Sequence, residues 1–218
     1  MTPTPRRQVL ADTVHETIRQ RLLEHVIEPG SKLNINSLAL DLDVSPTPVR
    51  EALARLEADG LVLKRQLAGY TAAPLLSNRE FDELFELRLL LEPAAAAHAA
   101  ERADAADLDV LAGYLAEMRS AQGTDPHEAL QSFVRLDAVF HDGIALASGS
   151  GLLRSSLQRL HAHTHLYRLY FREGIAEDTC REHERILDTL RERDADAAAA
   201  TMRTHLRRAR KRLLSTLP

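Results

Sequence analysis

Tryptophan is absent from this 218-residue sequence, and aromatic residues make up only 4% of it. This shortage, together with long stretches rich in alanine, leucine and arginine, favours a mainly helical protein. A single cysteine, Cys180, excludes a disulfide within the chain and is typical of a reducing compartment. No apolar stretch approaches the ~20 residues that span a bilayer, and the N-terminal segment lacks the apolar centre of a secretory signal. We therefore expect a soluble, cytoplasmic protein.

An excess of basic charge is also lacking. The chain has 28 lysines and arginines against 32 acidic residues, which gives a net charge of −4. Residues 1–75 contain nine basic and nine acidic residues, so this part is neutral and the remainder is acidic. Bulk attraction to nucleic acid is therefore excluded, and any DNA binding must come from individually placed basic side chains.

Helical spacing of apolar residues predicts a first helix over 9–26, which ends at Glu-Pro-Gly (28–30). Asn36 is a suitable N-cap for a short second helix that reaches Leu42. A third helix begins within the sequence VSPTPVREAL (44–53).

The beginning of this third helix contains two prolines. Thr47 precedes a proline and is pushed out of the helical region, which predicts Thr47 as N-cap and Pro48 as the first helical residue. Ser45 followed by Pro46 is an alternative cap. The third helix carries an apolar stripe formed by Val49, Ala52, Leu53 and Leu56.

Short apolar segments at 61–63 and 70–73 predict a hairpin after the third helix, so residues 8–74 read as a winged helix-turn-helix domain. Arg50 projects from the first turn of the third helix, where a guanidinium can bind a guanine edge, while the Thr47 hydroxyl can meet a phosphate. The alternative is an ordinary capped amphipathic helix with a solvated arginine.

The rest of the chain reads as helices only. Ser77 and Glu80 form a predicted capping box after a linker at 75–77, and they begin an all-helical domain over 78–216. Six helices are predicted, which makes this domain a six-helix bundle: 78–103, 107–121, 126–147, 150–173, 177–193 and 195–215.

Four residues of this helical domain predict a metal site. Asp137 and His141 share one helix face at i, i+4 spacing. His183 and His205 lie eleven residues before and after Asp194, in the turn between two helices, so an antiparallel pair would place them at equal heights. The nitrogen donors of the three histidines and the oxygen donors of Asp137 together suit zinc or nickel. The alternative is that each histidine is an ordinary core residue.

Other histidine patterns predict no site. His161, His163 and His165 alternate, so on a continuous helix His163 would point away from the other two. His183-Glu184 does not begin a zinc-protease motif because position 187 is leucine.

The sequence VSPTPVREALARLEADGLV (44–62) resembles the signature of the GntR family of transcription regulators, and Pro-Gly-Ser-Lys-Leu (29–33) is similar to a turn of the same family. The resemblance covers residues 8–74. It implies that Arg50 and Thr47 contact DNA, that Asn36 lies near a phosphate, and that Gly69 lies at the tip of the wing.

Two positions depart from the family pattern. Pro46 stands where arginine is usual, which removes one expected DNA contact, and Asp43 replaces a glycine of the turn. Basic residues elsewhere are predicted to compensate as phosphate contacts, namely Arg6, Arg7, Lys64 and Arg65.

Asp-x-x-Phe-His (137–141), Glu-His-x-x-Ile-Leu (182–187) and His-Leu (205–206) resemble the effector-binding FCD domain of FadR-type regulators. In that domain the matching residues form a metal site, which here implies Asp137, His141, His183 and His205. Arg88, within Glu-Leu-Arg-Leu-Leu-Leu-Glu (86–92), is similar to an arginine that approaches the effector, and a pair with Glu92 along the helix is the alternative.

The predicted function is a homodimeric transcription regulator, with repression as the expected outcome, that binds operator DNA and responds to a small carboxylate at a divalent metal ion, most simply zinc. A regulator that senses the metal itself and a helical metalloenzyme are the alternatives. No paired general base or nucleophile stands out, so we expect that the chain is not an enzyme.

Overall fold

The computed structural model describes residues 5–65, 69–120, 126–168 and 176–214, without the side chains at 5–8, 126–128, 130 and 167. Arg6 and Arg7 are thus outside the described side chains. The chain divides into two units, Met1–Leu76 and Ser77–Pro218. Among the described helices, none is long and apolar enough to cross a membrane.

The first unit contains three helices and a small sheet in its described residues. In chain order these elements are α1 (Pro5–Leu23), β1 (Lys32–Leu33), α2 (Ile35–Asp41), α3 (Pro46–Ala58), β2 (Val62–Arg65) and β3 (Gly69–Ala72). The three strands are antiparallel in the order β1-β3-β2. This is the predicted winged helix-turn-helix, to which the structure adds the short strand β1.

The N-caps of α2 and α3 each lie two residues before the predicted position. Asn34 caps α2, because its side-chain oxygen accepts hydrogen bonds from the backbone N–H groups of Asn36 and Ser37 at 2.9 and 3.0 Å. Ser45, the alternative, is the N-cap of α3, so Thr47 lies inside the helix. Both prolines fit the first turn of α3, because N–H groups there have no partner within the helix.

The core of the first unit forms where α1 packs against α3. Its contacts are apolar and follow the predicted stripe of α3, whose four residues are completely buried. The most deeply buried apolar side chains of the two helices are Val14, Ile18, Leu22, Val49, Ala52, Leu53 and Leu56. Arg50 and Arg55 lie on the exposed face of α3.

The second unit is entirely helical in its described residues. Its helices are α4 (Asn78–Arg102), α5 (Ala105–Ser120), α6 (Pro126–Ala147), α7 (Gly151–Arg159), α8 (Ala162–Tyr167), α9 (Ala176–Arg191) and α10 (Ala195–Leu214). The predicted capping box begins α4: Ser77 Oγ accepts from the Glu80 N–H, and the Ser77 N–H donates to the Glu80 carboxylate. The mainly helical fold class is confirmed.

The segment predicted as one helix over 150–173 forms two, so the described part of the second unit has seven helices instead of six. The break lies at His161, whose φ of 47° and ψ of 32° place it in the left-handed region. A continuous right-handed helix cannot pass through that backbone conformation. The direction of α8 is therefore independent of α7.

Small residues bring the helices of the second unit close together. α4 packs along α10, and the alanines at 95, 96, 99 and 100 of α4 are completely or almost completely buried. Larger side chains fill the space around α6, including Leu136, Phe140 and Ile144. The polar groups described next lie within this apolar surrounding.

We predict that Leu53→Ala lowers the free energy of unfolding of the first unit by about 2–5 kcal/mol, because Leu53 is completely buried and the cavity cannot fully collapse. Amide hydrogen exchange of α1 and α3 measures this local stability. Leu40→Ala is the matched control: Leu40 is 85% exposed, and the expected change is within about 0.5 kcal/mol. Equal exchange protection in both variants would contradict the assignment of Leu53 to the core.

Candidate metal centre and DNA-reading helix

Three buried histidines from three helices meet inside the second unit. His141 of α6, His183 of α9 and His205 of α10 offer ligand atoms that all lie within 4.8 Å of one another. Their ring centroids are 4.8–5.2 Å apart, and the residues are at most 6% exposed. The structure therefore brings together the three histidines that the sequence analysis selected.

The turn between α9 and α10 explains why His183 and His205 meet. Arg193 adopts a positive φ of 60° and ends the α9 segment, while the Asp194 side chain accepts a hydrogen bond from the Ala197 N–H at 2.9 Å and begins α10. The two helices pack against each other from this turn. Because His183 and His205 are equally far from Asp194 in sequence, they lie at the same height along the packed helices.

Asp137 borders the three histidines. Its Oδ1 atom lies 3.4 Å from His183 Nε2 and 4.0 Å from His141 Nε2. Its Oδ2 atom pairs with His163 Nδ1 at 2.9 Å. Asp137 therefore presents one oxygen to the centre and is held by His163 through the other.

His163 is a residue of the centre that sequence reasoning missed. The prediction assumed one continuous helix, on which His163 would point away, but the left-handed residue His161 reorients α8. His163 consequently contacts Asp137, and its ring centroid lies 5.1 Å from that of His141. The pattern of alternating histidines carries no signal for this contact.

Two further carboxylates support the histidines. Glu92 Oε2 pairs with His141 Nδ1 at 2.6 Å, and Glu182 Oε2 pairs with His205 Nδ1 at 2.9 Å. Both glutamates are 5% exposed. Neither was selected as a partner of a metal ligand in the sequence analysis. Each contacts a histidine of another helix, and spacing within one helix does not indicate such a contact.

Arg88 forms the pair with Glu92 that was the alternative to an effector contact, but this pair is buried. The Arg88 Nε–H donates to Glu92 Oε1 at 2.5 Å, and Arg88 is 2% exposed. Arg88 also lines a cavity of about 20 Å³ together with Asp137, His163 and His205. It is therefore placed both to hold Glu92 and to face this cavity.

The carboxylates of the centre are ionised, and burial favours the neutral forms of His141 and His183. Burial alone would raise the pKa of Glu92, but Arg88 and His141 hold it well below its usual range. Burial likewise opposes the hydrogen bonds from Arg212 and His205 that lower the pKa of Glu182 to about 2. Burial lowers the pKa of both His141 and His183. Neutral imidazoles and charged carboxylates are the forms that bind a metal ion.

The donor set fits a divalent ion. His141 Nε2 and both ring nitrogens of His183 are buried and have no hydrogen-bond partner within the described part of the chain. A buried polar atom without a partner is costly unless something else binds it. Three imidazoles and a nearby carboxylate are typical ligands of zinc and nickel, so His141, His183 and His205 would hold the ion with Asp137 beside them.

Three of the residues predicted to contact DNA lie on α2 and α3 of the first unit. Asn36 of α2 and Thr47 and Arg50 of α3 are exposed, and Arg50 makes no ion pair or hydrogen bond with another described side chain. Two other arginines of this unit are paired: Arg55 contacts Asp12 at 2.5 Å, and Arg21 contacts Asp41.

The β2–β3 hairpin, which forms the wing, carries two further basic side chains, Lys64 and Arg65. Arg65 and Gly69 face each other in the last described pair of the β2–β3 ladder, and both are exposed. Gly69 has a φ of 80°, which favours glycine. The Lys64 ammonium lies 5.9 Å from the centre of the Tyr70 ring. The hairpin therefore presents basic groups at the end where Gly69 was predicted.

Comparison with known protein families agrees with both units. Residues 10–71 match the family model described as "Bacterial regulatory proteins, gntR family". Residues 83–208 match the FCD domain, which by itself covers more than half of the chain. The chain belongs to the GntR family. It is a transcription regulator with a DNA-binding GntR domain followed by an FCD effector domain.

Individual relatives support this assignment. The chain is 30% identical over 202 residues to the regulator LutR of Bacillus subtilis, covering 83% of this chain and 90% of LutR. It is 29% identical over 228 residues to a putative L-lactate dehydrogenase operon regulatory protein of Escherichia coli, covering 93% and 84% of the two chains. The solved structure of E. coli McbR/YncC shares the fold, with a TM-score of 0.73, 22% identity, and 94% and 97% coverage. These relatives are regulators and not enzymes, as predicted.

Stability of the metal-free second unit should fall on acidification. Burial, with a further contribution from Arg168 and His161, lowers the pKa of His165 to about 4. The unfolded chain keeps the ordinary pKa of about 6.5, so it binds more protons than the folded chain between these two values. The free energy of unfolding therefore decreases as pH falls from about 6.5 to about 4. The lowered pKa values of His141 and His183 act in the same direction.

Chemical unfolding of chelator-treated protein at pH values from about 7.5 to about 4.5 measures this dependence. His165→Gln removes one titrating group and should make the dependence on pH shallower. A free energy of unfolding that rises on acidification, or a slope that His165→Gln leaves unchanged, would show that His165 is not buried in its neutral form.

Proposed function

We propose that this regulator is a homodimeric repressor, that its two α3 helices read a two-fold operator, and that a small organic acid controls DNA binding at a metal-containing FCD domain. The observation that carries the proposal is the meeting of His141, His183 and His205 beside Asp137, within a domain joined to a DNA-binding unit. The name of the E. coli relative, which refers to an L-lactate dehydrogenase operon, agrees with a small acid as the signal.

One face of α3 is buried in the core of the first unit, and the opposite face is exposed and available to DNA. Its apolar stripe is completely buried against the unit's core, whereas Arg50 is exposed on its first turn. A recognition helix in a major groove contacts base edges with residues near its N-terminus. Arg50 would then bind a guanine through both of its terminal nitrogens, and Thr47, Asn36 and Arg65 would contact phosphates.

We predict that Arg50→Ala lowers affinity for the specific operator by about 1–3 kcal/mol and weakens the preference at one base pair in each half-site. Arg65→Ala should weaken binding to specific and random DNA alike and reduce the salt dependence. Equilibrium binding to both kinds of DNA at several salt concentrations separates the two effects.

Arg55→Ala is the matched control for Arg50, since Arg55 is an exposed arginine of the same helix that is paired with Asp12. It should change operator affinity less than Arg50→Ala does. Equal losses on specific and random DNA for Arg50→Ala would exclude base reading by this residue. A footprint that lacks two-fold symmetry would exclude the proposed dimeric operator.

For effector binding, the centre offers both a metal site and a cation. When bound, a divalent ion would supply a Lewis-acidic position for a carboxylate. Arg88 faces the same small cavity as Asp137, His163 and His205, and its guanidinium suits a carboxylate. A volume of about 20 Å³ admits about one water molecule, so an acid must displace side chains that line this cavity. Such displacement is how the effector would favour one arrangement of these helices.

We predict that His183→Ala lowers the metal content well below one divalent ion per chain and abolishes the response of DNA binding to organic acids. The first unit should remain folded and bind operator DNA, because His183 belongs to the other unit. Elemental analysis, with operator binding measured with and without lactate and related hydroxy acids, tests both parts.

His98→Ala is the matched control, since His98 lies in α4 of the same unit and is not part of the three-histidine cluster. It should keep the metal and the response. Full metal content in His183→Ala would show that His183 is an ordinary core residue. A response of the wild-type protein to metal alone, without any acid, would instead identify the metal ion as the signal.

A further inference from the structure

Two arrangements of arginine, glutamate and histidine converge on the centre. In the first, Arg88 of α4 pairs with Glu92 of the same helix, and Glu92 contacts His141 of α6. In the second, Arg212 of α10 pairs with Glu182 of α9, and Glu182 contacts His205 of α10. In both, the carboxylate pairs with the guanidinium, and its Oε2 atom also contacts the Nδ1 atom of a histidine.

The contact at Nδ1 determines which ring nitrogen carries the proton. A neutral imidazole has one N–H group and one lone pair. His141 Nδ1 lies 2.6 Å from Glu92 Oε2, and His205 Nδ1 lies 2.9 Å from Glu182 Oε2. A lone pair at either Nδ1 atom would face a carboxylate oxygen and be repelled, so Nδ1 must donate. The lone pair of the neutral ring is then on Nε2, and Nε2 is the atom that can bind a metal ion.

We infer that Glu92 and Glu182 are positioning residues, which hold His141 and His205 as Nδ1–H tautomers and leave their Nε2 atoms available to the shared centre. This inference rests on the proposed metal binding. Hydrogen bonds of this kind to ligand histidines are common around metal ions, and losing one weakens metal affinity by about 10–100-fold.

The arginines keep the two carboxylates in place. Arg212 Nη1 and Nη2 each donate to one oxygen of Glu182 at 2.8 Å. Arg88 Nε donates to Glu92 Oε1 at 2.5 Å, and its Nη2 lies 3.5 Å from Oε2. Paired guanidinium groups restrict the rotation of a carboxylate more than a single contact does. The orientation of each histidine is thus set by two charged residues in series.

His183 provides an internal contrast. Neither of its ring nitrogens has a hydrogen-bond partner among the described residues. Its ring instead stacks on Phe140, with a centroid separation of 4.4 Å and an interplanar angle of 15°. His183 is thus oriented by packing on Phe140, with Asp137 Oδ1 3.4 Å from its Nε2 atom, and it contacts neither glutamate through a hydrogen bond. Removal of a glutamate should therefore not alter its tautomer.

Glu182→Gln is the principal test, because glutamine keeps the shape of the side chain but removes its charge. Glu184→Gln is its control: Glu184 lies on the same helix and pairs with Arg119 near the surface. Zinc affinity of the full chain is measured by competition with a chromogenic chelator. We expect affinity to fall by about 10–100-fold in Glu182→Gln and to change less than about two-fold in the control.

The tautomers are measured directly in the metal-free wild-type protein, by long-range proton–nitrogen correlation spectra of chains labelled with ¹⁵N-histidine. His141 and His205 should carry the proton at Nδ1, and Glu182→Gln should alter the signals of His205 but not of His183. A residue that only supports the fold would leave these signals unchanged. Glu92→Gln, with Glu83→Gln as its control on α4, provides an independent variant if Glu182→Gln fails to fold.

The outcomes separate this inference from the proposed function. Protons at Nε2 in the wild-type protein, or normal zinc affinity in both Glu182→Gln and Glu92→Gln, would overturn the positioning role and leave metal binding intact. A wild-type protein that takes up no zinc but has both protons at Nδ1 would overturn the proposed metal control, while the assignment of the tautomers would stand.

Discussion

Burial of ionised carboxylates within a helical core is the constraint on which the second unit depends. Glu92 and Glu182 are almost completely buried, and a buried charge without partners would cost several kcal/mol. Each is therefore compensated by a guanidinium on one side and an imidazole on the other. The same contacts orient the histidines. The interactions that stabilise the buried charges therefore also set the geometry of the centre.

Arg88 connects two roles at this centre. It holds Glu92, which holds His141, and it also faces the cavity beside Asp137. A carboxylate drawn to Arg88 would compete with Glu92 for the same guanidinium. Through that competition an effector would change the support of a histidine that it does not touch. Arginine suits this position better than lysine, because its planar group can pair with a carboxylate through two nitrogens.

The DNA-reading helix shows how a departure from the family pattern is accommodated. Asp43 adopts a φ of 52°, a left-handed conformation that glycine adopts freely and that aspartate tolerates. Pro46 occupies the first position of α3 and Pro48 is buried in its first turn. The backbone of the turn is thereby kept, although a usual arginine is missing. In the proposed mode of DNA binding, base reading would then depend more heavily on Arg50, which is exposed on this turn.

Although the segment 150–173 forms two helices and not the predicted one, local sequence predicted the other helices, the winged domain and the meeting of His141, His183 and His205, because helical spacing, turn residues and equal distances from a turn are properties of local sequence. It could not predict His163, Glu92 or Glu182. His163 reaches Asp137 only because the backbone is left-handed at His161. The glutamates matter through contacts between α4 and α6 and between α9 and α10, which no spacing within one helix encodes. The sequence by itself therefore determined most of the helices and which residues share a face of each. The tertiary structure decided the break at His161 and which charged groups meet, because those contacts depend on how helices pack.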